Sequence, residues 1–136
     1  MKKISIDSNA FIYFFENSKL AFKLKKLFQQ AVDQKIQIIV PTVLLTEILY
    51  LPFKVEDQKI LSLYSNLDKK PYNIRFIDLN KEIAINASRI RAQYGFKTPD
   101  SLFLATALDQ NVESFITNDK RLHRFKEIKV KALSEL

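Results

Sequence analysis

No cysteine occurs among the 136 residues, so disulfides, thiolate metal sites and cysteine nucleophiles are excluded. One histidine, His123, excludes a multi-histidine zinc site. One glycine, Gly95, excludes both common Gly-rich phosphate loops. No run approaches the roughly 20 apolar residues a membrane helix needs. Behind the basic Met1-Lys2-Lys3, the apolar stretch at 4–6 is too short for a signal-peptide core. The expectation is cytoplasmic residence with no membrane partner. Apolar mass is not lacking: 47% hydrophobic and 27% charged residues match a globular protein and exclude a disordered tail. The chemistry left to the chain rests on carboxylates, hydroxyls, amides and cations. The net charge of +7 points toward a polyanionic partner.

No linker, low-complexity segment or internal repeat interrupts the chain, which reads as one domain over 1–136. Prolines at 41, 52, 71 and 99 punctuate it. Residues 4–6 read as a strand ending at Asp7, followed by a short buried helix with Phe11, Ile12, Phe14 and Phe15. From 19 to 33, Leu20, Phe22, Leu24, Leu27, Phe28, Ala31 and Val32 recur at helical spacing. The β-branched run 36–40 reads as a buried strand stopped by Pro41. Thr42 then suits the cap of a helix reaching Leu51, and Ile60, Leu63, Tyr64 and Leu67 mark another. A third strand is expected at 74–79, then a helix facing inward through Ile83, Ala87, Ile90 and Tyr94. Thr98-Pro99 reads as a cap with proline in the first turn. It opens a helix to about Gln110, apolar nearly all round and therefore central. Strands at 115–117 and, at an edge, 128–130 complete the pattern.

Strands alternating with helices imply an α/β fold, a parallel sheet with helices on both faces. In such sheets the site lies beyond the carboxyl ends of the strands. Four acids fall there: Asp7 after the first strand, Glu47 in the helix after the second, Asp100 in the first turn of the central helix, and Asp119 after the fourth strand. Each has a plain alternative. Asp7 suits a helix N-cap, Asp100 the positive end of a helix dipole, and Asp119 a turn or cap. Glu47 sits among Val43, Leu44, Leu45, Ile48 and Leu49, where an unpartnered carboxylate is costly unless it points along an exposed edge. Together they argue differently. Two carboxylates about 4 Å apart repel by about 4 kcal/mol at an effective dielectric near 20, so a converging cluster calls for a cation. The scarcity of histidine and cysteine favours Mg²⁺ or Mn²⁺ over zinc.

At these residues the chain resembles a known family. Ile6-Asp7-Ser8-Asn9, Thr46-Glu47-Ile48-Leu49, Thr98-Pro99-Asp100-Ser101-Leu102 and Thr117-Asn118-Asp119-Lys120 look like the four motifs of the PIN domain, with VapC-type toxins of toxin–antitoxin pairs as the nearest resemblance. The likeness spans Asp7 to about Leu122. It implies a single PIN-like domain with strand order 3-2-1-4-5. It also implies a metal-dependent endoribonuclease whose acidic quartet is Asp7, Glu47, Asp100 and Asp119, supported by Asn9 and Thr117. A homodimer, silenced by a cognate antitoxin entering the active-site groove, is implied as well. The sequence departs from the family once: many relatives carry a further aspartate just after the fourth motif, where Arg121-Leu122 stands here. That substitution weakens the case for a second metal ion.

The expected reaction is in-line attack by water on RNA, with Mg²⁺ or Mn²⁺ lowering the water's pKa and neutralising charge on the phosphate. Setting the four acids aside leaves 22 Lys+Arg against 15 less four, or 11, acids, a balance of +11 for the rest of the chain. Lys120, Arg121, Arg124 and Lys126 are candidate phosphate contacts. Lys23, Lys25 and Lys26 form a second patch that also reads as a solvated face. His123 reads as a surface or partly packed residue. Leu49, Leu51, Phe53 and Val55 read as core, or as a groove for partners if exposed. Three other readings compete: a non-catalytic PIN-like RNA- or protein-binding module, an RNA-processing nuclease that is not a toxin, and a phospho-acceptor receiver or phosphatase. For the last, the residues after Asp7 are wrong, and Asp78 is expected inside the third strand.

Overall fold

Five short strands carry the fold in the computed structural model, which describes residues 1–16, 19 and 21–136. β1 (Lys2–Ile6) and β2 (Ile36–Pro41) are rich in isoleucine and buried on both faces, the pattern of a covered parallel sheet. β3 (Ile74–Ile77), β4 (Ser114–Ile116) and β5 (Lys129–Lys131) pair with them in the order β3-β2-β1-β4-β5, every neighbouring pair parallel. This is the order that the resemblance implies. It differs from the 2-1-3-4-5 order of receivers, and that excludes the receiver reading. The exclusion is needed, because β3 stops at Ile77 and Asp78 lies just beyond the strand rather than inside it.

Parallel neighbours require crossovers, and helices supply them. α1 (Ser8–Phe15) and α2 (Ala21–Val32) join β1 to β2; α3 (Val43–Ile48), α4 (Tyr50–Lys54) and α5 (Gln58–Ser65) join β2 to β3. α6 (Lys81–Tyr94) and α7 (Thr98–Asp109) return from β3 to β4. Right-handed crossovers place this return on the face opposite the outward connections. The core joins Ile4 and Ile6 of β1, Ile38, Ile39 and Val40 of β2, and Phe115 of β4 to Leu24 and Phe28 of α2 and Leu104 and Ala105 of α7. α7 packs on both α6 and β2, and six of its residues are buried, which fits its all-round apolar sequence.

Several local expectations are corrected. The single helix expected from Thr42 to Leu51 is two helices. Pro52 has no N–H to offer the carbonyl of Ile48, and its ring crowds that carbonyl. The chain therefore breaks after Ile48 and restarts with Pro52 inside the first turn of α4. Thr42 has helical backbone angles and makes no side-chain cap. Thr98 is likewise the first residue of α7, with Lys97 as its uncapped N-cap. Leu67 is buried but lies past the end of α5, and the edge strand is displaced by one residue to Lys129–Lys131. Leu20 lies outside the described residues.

Candidate active site

Beyond the carboxyl ends of β1 and β4, and beside α3 and α7, lies a cavity of about 240 Å³. Asp7, Glu47, Asp100 and Asp119 all line it, together with Asn9, Ser8, Lys97 and Arg121. Four sequence-distant acids thus share one space because the parallel sheet ends there.

Each acid is held by a local rule. Asp7 is the N-cap of α1, and its Oδ1 accepts from Ala10 N at 3.1 Å. Its Oδ2 accepts a hydrogen bond from the Thr117 hydroxyl. The same hydroxyl oxygen accepts from Asp119 N at 3.0 Å, so buried Thr117 ties the first motif to the fourth. Asp119 caps the 3₁₀ turn Lys120–Arg124, its Oδ1 accepting from Arg121 N at 3.0 Å. The capping roles of Asp7 and Asp119 and their shared cavity are therefore realised together. Asp100 sits in the first turn of α7, where the helix dipole favours a negative charge. Glu47 stands at the exposed rim, its carboxylate accepting from Ser8 Oγ at 3.2 Å.

Arg121, with Lys97, brings positive charge to this cavity. Its Nη2 lies 2.6 Å from Asp119 Oδ2 and 3.8 Å from Asp100 Oδ2, and its Nε donates to Asp119 Oδ1 at 3.1 Å. The guanidinium holds Asp119 below the usual carboxylate range. The other three acids are pushed the other way. Burial raises Asp7, with a further push from Asp100 and Asp119, against the pull of Thr117. Loss of solvent at the rim and the charges of Asp100 and Asp7 raise Glu47. Burial and Asp119 raise Asp100, opposed by Arg121 and Lys97. Three carboxylates made harder to ionise, first by loss of solvent and then by neighbouring carboxylates, are a site short of positive charge.

The donor set fits a hard divalent cation, since it offers carboxylate oxygens, hydroxyls and an amide and no soft ligand. Among the described residues no three carboxylates meet closely enough to clasp one ion directly. The fit is to an ion that keeps several of its own waters, as Mg²⁺ does.

Other expected residues are placed as follows. Asn9 lines the cavity. Lys120 is exposed beside Asp119. Arg124 donates to the Tyr94 carbonyl at 2.8 Å and lies over the Phe96 ring at 5.1 Å. Lys126 donates to the His123 carbonyl at 3.3 Å. The His123 ring is engaged with the Thr117 carbonyl at 3.0 Å. Sequence reasoning did not assign Ser8 or Lys97 to the cavity, although each lies within three residues of a motif acid. It gave Arg121 as a phosphate contact beside the site; the side chain is exposed but turns its guanidinium back onto Asp119 and Asp100, which nothing in a sequence announces.

A family model for the PIN domain matches residues 4–128. No curated protein matches the chain. Among solved structures, the chain is similar to DNA-bound VapBC from Salmonella typhimurium, with TM-score 0.78 and 17% identity over 98% of this chain and 99% of that one. It is similar to VapBC2 from Rickettsia felis bound to a promoter DNA fragment, with TM-score 0.73 and 16% identity over 96% and 98%. VapBC-1 from nontypeable Haemophilus influenzae gives TM-score 0.68 and 16% identity over 97% and 98%.

Proposed function

The chain belongs to the PIN domain family, and from that premise we propose that it is a metal-dependent endoribonuclease acting as the toxin of a VapBC-type pair. The observation that carries the reading is the convergence of Asp7, Glu47, Asp100 and Asp119 on one cavity at the carboxyl end of the sheet. The antitoxin partner is inferred from the VapBC character of the structural relatives. An exposed apolar surface on α4, with Tyr50, Leu51 and Phe53 beside a cleft, gives a protein partner something to cover. No described helix is long and apolar enough to cross a membrane.

In this reading Asp7, Glu47, Asp100 and Asp119 would hold Mg²⁺ or Mn²⁺, directly or through waters. The bound ion supplies Lewis-acid polarisation of the phosphate and a more acidic water. The rest is done by the chain. Thr117 fixes the Asp7 carboxylate and the Asp119 backbone in one hydrogen-bonded unit. Ser8 orients Glu47. Asp119, kept ionised by Arg121, would accept a hydrogen bond from the attacking water and help orient it toward the scissile bond. Water enters in line and leaves 5′-phosphate and 3′-hydroxyl ends, with no histidine base required. Arg121 stands where relatives carry a further acid, and its positive charge makes a second ion at that end of the cavity unfavourable.

The test is degradation of total RNA with Mn²⁺ or Mg²⁺. Asp7→Asn keeps the helix cap, because asparagine caps as well as aspartate, and removes the charge. It is expected to lose cleavage by at least about 100-fold, the scale of losing a main electrostatic contribution. Undiminished cleavage by that variant would sink the assignment.

A further inference from the structure

We propose that a basic cleft running away from Asp119 along α2 is the track for single-stranded RNA beside the cleaved bond; the inference rests on the nuclease reading above. Asn118 and Lys120, on either side of Asp119, line a depression of about 540 Å³ that Lys23 closes on the far side. Lys23 and Glu135 also line a larger cleft of about 820 Å³, which continues the path past Phe22, Lys26 and Lys131. The two depressions are therefore joined through Lys23 and Glu135, and the nearer one is flanked by the chain neighbours of Asp119.

The character of this path suits a nucleic acid. Lys23, Lys25, Lys26, Lys35 and Lys131 line the larger cleft, and none forms an ion pair among the described residues. Two acidic side chains line it as well, Asp33 accepting from Gln29 Nε2 at 3.0 Å and Glu135 from Ala132 N at 2.9 Å, so the five lysines leave the cleft with a positive excess. Phe22 is 82% exposed. It lies three and four residues before Lys25 and Lys26, hence on the same face of α2. Unpaired lysines for phosphates beside an open aromatic face for a base are the two components of single-strand binding grooves. An acidic peptide would use the lysines but has no need of a path that starts at the chain neighbours of Asp119.

The test measures binding of a fluorescein-labelled 30-nucleotide single-stranded RNA in EDTA over a range of salt. The wild-type chain is compared with Lys23→Glu/Lys26→Glu, with Phe22→Ala, and with a Lys59→Glu/Lys69→Glu control of equal charge change outside the cleft. The cleft pair is expected to bind roughly tenfold more weakly or worse, with a salt slope shallower by about 1.4, because each single-strand phosphate left without its lysine removes about 0.7. Phe22→Ala should weaken binding without changing the slope. Equal losses in cleft and control pairs, or no loss in either, would overturn the proposal and mark a merely solvated face. So would loss of polyglutamate binding with RNA binding intact, which would assign the cleft to an acidic protein. Degradation of total RNA with Mn²⁺, lost in Asp7→Asn, reports on the nuclease reading separately.

Discussion

Asp7 does two jobs that the sequence offered as rivals, and the geometry shows why they are compatible. A helix N-cap needs one carboxylate oxygen for the backbone, which leaves the other free for a neighbour. Residue identity was enough to find the acids, because strand ends and helix starts are marked locally. It was not enough to place Arg121, whose position depends on a rotamer chosen by the field of Asp119 and Asp100. The raised pKa of Asp7 has a consequence for stability. A carboxyl whose folded pKa exceeds its ordinary 3.8 binds more protons folded than unfolded through the window between the two values. Stability of the metal-free protein therefore falls as pH rises through that window, and the cost is fully present at neutrality. Asp7→Asn removes it while keeping the cap. In urea denaturation with EDTA the variant should be more stable than wild type at pH 7, with the advantage vanishing as pH falls toward 3.8. A pH-independent difference would show that the carboxylate is not under this strain.

Among the elements, α6 was legible from its apolar face through Ile83, Ala87 and Ile90. Its two ends carry local signals that the reading did not use: Asn80 caps it by accepting from Ile83 N at 2.9 Å. Gly95 closes it in the left-handed conformation at φ 73°, donating to the Arg91 carbonyl at 2.8 Å. The only glycine of the chain is thus spent on a helix stop rather than on a ligand loop. A Cβ at this position would meet no atom within 4 Å, so the cost of alanine is conformational alone. Gly95→Ala is expected to lose about 1–2 kcal/mol, the left-handed penalty for an L-residue, by urea denaturation, with nuclease activity retained. The split of α3 from α4 was less legible. Pro52 was visible, but whether a helix ends at such a residue or restarts with it in the first turn depends on the packing of its neighbours, and Pro52 is buried. Strand ends erred by one or two residues for a related reason: parallel partners set them, and β3 stops where its register with Pro41 ends.

At the scale of the whole molecule, strand order is what turns four scattered acids into one cavity. That order came from the resemblance, because periodicity shows which segments are strands but not which ones pair. The net charge of +7 likewise divides into a cavity short of positive charge and a surface with cations to spare. If the cavity takes a divalent ion, folding and ion binding are linked, since the unfolded chain scatters the four acids and keeps no site. Saturating ion then adds about 1.4 kcal/mol for each tenfold rise above its dissociation constant. For a domain of this size that is roughly 5 °C in melting temperature per decade. Wild type should follow that rise with Mg²⁺ or Mn²⁺, and Asp100→Asn should show a displaced or absent one. A melting curve indifferent to both ions in wild type would instead favour a PIN-like module whose site has lost its metal, whatever RNA its basic face still binds.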